Sequence, residues 1–121
     1  MKSFTGILTI VATFCTGQAF AACEIPAPVE SIPDGATATE QELLSVQTEI
    51  RAYVEAMDGY IACENEQLQT RGDNAAAEFL YLISARIDSA RKEVDTIASR
   101  FNDEVRSFRA TREPPAAFPP Q

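Results

Sequence analysis

The chain has no histidine and no tryptophan, and only three cysteines and five glycines in 121 residues. Without histidine, the commonest general base and the commonest metal ligand are missing. Ser-His and Cys-His nucleophile pairs are therefore closed. Basic residues are scarce as well: 10 Lys+Arg stand against 18 Asp+Glu, for a net charge of -8 and a pI near 4.4. Such an acidic chain suits neither a nucleic-acid backbone nor an anionic lipid surface, both of which recruit clustered Lys and Arg. No Gly-rich phosphate loop, no cysteine-rich metal spacing and no EF-hand loop occurs. These absences predict no cofactor, no metal site, no nucleic-acid partner and no enzymatic activity.

What is present begins with an address. Met1-Lys2-Ser3 is a short basic start, Phe4 to Phe14 is an apolar run broken by Thr and Gly, and Ala19-Phe20-Ala21 supplies a small-x-small cleavage pattern. This is the layout of a secretory signal peptide over residues 1–21. The run is about half the ~20 residues that a membrane span requires. The expected mature chain starts at Ala22, carries no membrane insertion, and keeps 18 acids against 9 bases because only Lys2 is lost. Its predicted location is the periplasm or the extracellular space. Cys15 leaves with the signal, so Cys23 and Cys63 remain as a pair, and in an oxidising compartment they form a disulfide most simply. One alternative stands beside it: the small residues before Cys23 also fit a lipoprotein signal, with Cys23 acylated.

Residues 22–38 read as an extended arm. Pro26, Pro28 and Pro33 prevent regular helix, and Pro33-Asp34-Gly35 is a turn signal. Ile25, Val29 and Ile32 are its large apolar groups and are expected to face the rest of the molecule. Thr39 with Glu42 is a capping box, and Thr37 with Glu40 would serve equally well, which leaves two starts two residues apart. From there Leu43, Val46, Ile50, Tyr53, Met57 and Tyr60 recur at alternating steps of three and four, an unbroken heptad seam. The spacing predicts a helix over about 40–70. A second one, over about 74–111 with Asp73 or Asn74 as cap, carries Leu80, Ile83, Ile87, Ala90, Val94, Ile97 and Phe101. Glu113 to Gln121 is a Pro-rich tail without a helical pattern and is expected to be disordered.

A short connection around Arg71–Asn74 forces such helices antiparallel. The expected fold is all-α: a coiled-coil-like hairpin over 39–112, with the arm pinned to it by a disulfide. Folding at residue 72 sets Met57 beside Ile87 and Leu43 beside Phe101. It also brings Arg100, Arg106, Arg109 and Arg112 toward Glu40 and Glu42. The geometry permits the disulfide: Cys63 lies ~36 Å along the first helix, and the arm back to Cys23 reaches ~46 Å in polyproline geometry.

Few residues suggest chemistry. Arg71-Gly72-Asp73 is explained by its place between two helices. Glu64, Glu66, Asp103 and Glu104 read as solvated acidic surface, and Tyr53, Tyr60 and Tyr81 as core residues with wet hydroxyls. A two-helix unit leaves apolar surface beside its seam, and Val54, Ile61, Phe79 and Leu82 are the candidates for an interaction surface, taking a protein partner or a second copy in a weak dimer.

Cys23 before the Pro-rich arm, Ile32-Pro33-Asp34-Gly35, Glu42-Leu43, Tyr60-Ile61-Ala62-Cys63-Glu64 and the stretch Phe101 to Phe108 together resemble a group of short, uncharacterised secreted proteins of Gram-negative bacteria. Members of that group often carry an Asn near the middle of the second helix, where this chain has Asp88-Ser89. The resemblance implies export and a helical fold, and no activity.

Overall fold

The computed structural model describes residues 22–113. The expected signal peptide and Pro-rich tail lie outside them. Two helices, α1 (Glu40–Arg71) and α2 (Ala77–Ala110), follow the extended arm, with a 3-10 turn (Gly72–Asn74) between them. There is no strand among the described residues.

α1 starts at the later of the two capping boxes that the sequence offers. The Thr39 side chain accepts from the Glu42 amide at 3.2 Å, and the Glu42 carboxylate accepts from the Thr39 amide at 2.7 Å. The box satisfies two donors that the first turn leaves open. Downstream, all six seam residues from Leu43 to Tyr60 are buried. On α2, Ile83, Ile87, Ala90, Ile97 and Phe101 are buried, while Leu80 and Val94 are half-buried. Contacts between the helices run in opposite order along the two elements. Glu64 pairs with Arg86, Tyr60 and Met57 share a groove with Ala90, and Leu43 shares a crevice with Phe101 and Val105. This is the order an antiparallel hairpin has.

The second helix departs from expectation at its start. Asp73 and Asn74 do not cap it: they continue the end of α1 as a 3-10 turn. Ala75 and Ala76 are then extended, and the helix begins at Ala77 with Ala76 at the N-cap position, without a side-chain bond. The expected arginine–acid pairing also gives way to other partners. Glu42 is occupied in the capping box, Arg106 pairs with Asp103 on its own helix, and Arg112 reaches the Ala38 carbonyl.

The arm packs by a three-residue period. Cys23, Pro26, Val29 and Ile32 are half-buried, and the residues between them are exposed. Three residues per turn is the repeat of a polyproline-type chain, so one residue in three meets the hairpin. Ile25 falls off that phase and is 64% exposed, contrary to the expectation that it faces inward. Val29 and Ile32 do pack against the core.

The arm ends in a turn seated on α2. Asp34 builds it, accepting from the Ala36 amide through its side chain at 2.8 Å and from the Ala38 amide through its carbonyl at 2.8 Å. The Gly35 amide donates to Glu104 Oε2 at 2.8 Å. Gly35 also touches helix backbone: a β-carbon there would lie 2.7 Å from the Glu104 carbonyl carbon and 3.0 Å from the Phe108 nitrogen. Glycine is required here for close approach.

Candidate functional site

Three elements enclose the site: the arm, the inward face of α1 and one flank of α2. Tyr53, Met57 and Tyr60 form its floor, Ile25, Pro26 and Pro28 its roof, and Arg86 and Glu93 its far wall. The groove encloses about 380 Å³. Pro26 and Pro28 also border a shallower crevice on the outer side of α1, where Glu30 of the arm shares a wall with Glu49.

Cys23 and Cys63 close the loop end of this groove as a disulfide, with Cα atoms 5.8 Å apart. The Gln67 side-chain amide donates to Cys23 Sγ at 3.0 Å. Cys63 is held on α1 one position before the seam returns at Glu64, which directs its sulfur toward the arm. Acylation requires the sulfur that this bond occupies.

Glu64 corrects the surface reading. Its residue is 1% exposed, and its Oε1 lies 3.5 Å from an Arg86 guanidinium that is itself 56% exposed. Oε2 has no hydrogen-bond partner within the protein. The position was there to be read: Met57, Tyr60 and Glu64 continue the steps of three and four. Residue type hid it, because a lone carboxylate on a seam requires a partner from the facing helix, and Arg86 supplies one. Glu104 is likewise half-buried and held by the turn rather than solvated. Glu66 and Asp103 are exposed as expected.

The tyrosines separate. Tyr53 and Tyr60 are buried, and their phenols are harder to ionise than usual. For Tyr53 the cause is burial, then the nearby Glu93 charge; for Tyr60 it is burial, then the adjacent Glu64 carboxylate. Both remain protonated through the neutral range. Tyr81 is 74% exposed and belongs to no core.

The four residues expected to make one interaction surface are not brought together. Val54 and Ile61 are half-buried and packed against the core. They fall one heptad apart with Gln47, which lines a crevice beside Leu43, Leu44 and Val105 that the arm does not border. Leu82 falls one heptad before Ser89, which lines the arm's groove. Leu82 and Val54 therefore lie on opposite flanks of the seam. Phe79 is half-buried near the loop, with the Arg71 guanidinium 5.1 Å from its ring centroid. Periodicity marks a residue as beside the seam; it needs the position of the arm to say which flank is still open.

Among the described residues, no helix is long and apolar enough to cross a membrane. Comparison with protein-family models, curated proteins and solved structures finds no match.

Proposed function

We propose that the chain is an exported, non-catalytic interaction module of the cell envelope that presents the flank of its hairpin opposite the arm to a protein partner. One observation carries this reading. The arm roofs a single flank, while on the other Val54, Ile61 and Val105 are only half-covered and Leu44 is 55% exposed. Surface of this kind, an apolar strip rimmed by charge, is what a partner helix buries. The simplest occupant is a second copy, giving a four-helix dimer. Net charge opposes that association, since both copies are acidic, so added salt strengthens it.

Sedimentation across a hundredfold concentration range tests the dimer, with and without added salt. The expected result is a weak dimer at the highest concentration that Ile61→Glu abolishes. A constant monomer mass removes the second copy as the partner. Site-specific photo-crosslinking from Leu44 and Ile61 in intact envelopes then tests the module itself: if neither position captures any protein, the reading fails. Export has its own measurement, the intact mass of the native protein, which is expected to lack residues 1–21 and the two protons of a disulfide. A mass increase from acyl chains would instead assign the lipoprotein spacer anchored through Cys23.

A further inference from the structure

Going beyond that reading, we propose that the arm is a redox latch: reduction of Cys23–Cys63 releases residues 23–32 from the groove over Met57, while the turn at 33–38 stays on α2 as the pivot.

The two ends of the arm are held in different ways. At the pivot, Gly35 donates to Glu104, the Ala38 carbonyl accepts from Arg112 at 2.8 Å, and the glycine backbone lies against that of α2. None of these contacts changes with redox state. At the other end the tie is the disulfide, supported by the single Gln67 contact to its sulfur.

Between the two ends the arm has little hold of its own. Among the described residues, no backbone hydrogen bond, side-chain hydrogen bond or ion pair involves residues 24–33. None of those residues is fully buried, and only Pro26, Val29, Ile32 and Pro33 are half-buried. Glu30 and Glu49 border the same crevice on the outer side of α1, and both are exposed, so no ion pair ties the arm there. Ordering ten residues of backbone costs more than a few half-buried side chains return, leaving the covalent tie to hold the arm in place. Both cysteines are half-buried rather than sealed in the core.

The reductant is a dithiol. One of its thiolates attacks a sulfur of the bond and displaces the other as a thiolate, forming a mixed disulfide. Its second thiol then resolves that intermediate. The reductant leaves as a disulfide, and two electrons and two protons end on Cys23 and Cys63 as thiols.

Met57 reports the latch. It is 2% exposed, on the seam and on the floor of the groove that the arm roofs, and Met1 is the only other methionine in the sequence. Peroxide oxidation of Met57, followed by peptide mass mapping, is compared between the oxidised protein and the Cys23→Ala/Cys63→Ala variant. The expected result is sulfoxide formation about tenfold or more faster in the variant, with helix content by circular dichroism unchanged, as for local rather than global opening. The oxidised protein reduced with a dithiol and then alkylated is expected to match the variant. Glu104→Gln with the disulfide intact is expected to keep Met57 protected. Equal oxidation rates overturn the latch. So does a rise accompanied by loss of helix, since the bond is then a staple for the whole fold. Neither result touches the partner-facing flank, whose test reads Leu44 and Ile61.

Discussion

The two ends of the hairpin are built differently. At the open end, where α1 starts and α2 stops, the chain is stitched by many small directional contacts: the Thr39–Glu42 box, Gly35 on Glu104, and Arg112 on Ala38 with its guanidinium 3.6 Å from the Phe108 ring centroid. At the loop end, α2 begins on an uncapped alanine, Glu64 keeps an oxygen without a partner, and a disulfide does the joining. Backbone groups and polar side chains secure the first end; the disulfide between the arm and α1 secures the second. The lesson is that helix ends joined by a short linker tolerate poor local capping, whereas ends joined only through space require specific contacts.

The contrast can be tested from its strongest element downward. Removing the disulfide at the loop end is expected to leave the helices folded at room temperature but to lower global stability, by up to ~4 kcal/mol for a closed segment of this length in the chain-entropy model. That is a drop in Tm of well over ten degrees by calorimetry for a domain of this size. At the open end, Gly35→Val forces a side chain into the α2 backbone and is expected to cost ~2–3 kcal/mol, read from chemical denaturation. A fall as large as that from disulfide loss would mean that the two ends do not divide the work as described.

Smaller effects probe the helix starts. Thr39→Ala is expected to cost ~1 kcal/mol at neutral pH. Glu42 adds a pH dependence. The Thr39 amide and hydroxyl hold its carboxylate below the usual range, so its contribution is present above the unfolded carboxylate pKa and is lost as pH falls through the lower folded value. The gap in Tm between wild type and Thr39→Ala should therefore narrow on acidification through that window. The smallest change runs the other way. Ala76→Ser supplies the cap that α2 lacks, on a residue already in extended N-cap geometry, and is expected to stabilise by ~0.5 kcal/mol.

The sequence makes the helices legible because burial follows period: the seam residues of α1 are the ones the structure buries, and the cap of α1 is spelled in four letters. The disulfide is legible by count and reach. What periodicity conceals is contact between elements of different period. The arm's three-residue phase is present in Cys23, Pro26, Val29 and Ile32, yet choosing residues by hydrophobicity picks Ile25 instead. Glu64 sits on the seam by spacing, while its charge reads as surface. Gly35 against Glu104 joins residues 69 apart, and nothing local in either segment specifies that meeting. The open flank follows from where the arm lies, which is itself a tertiary fact.

The disulfide also sets an order of events. It joins residues 23 and 63, so the covalent ring it closes contains the arm, the turn and most of α1, and none of α2. A chain made N-terminus first presents both sulfurs while its C-terminal half is still to come. The ring can therefore close before α2 is present to pack against. α2 then arrives last, as the piece that seats the turn through Glu104 and Arg112 and converts a tethered loop into a packed arm.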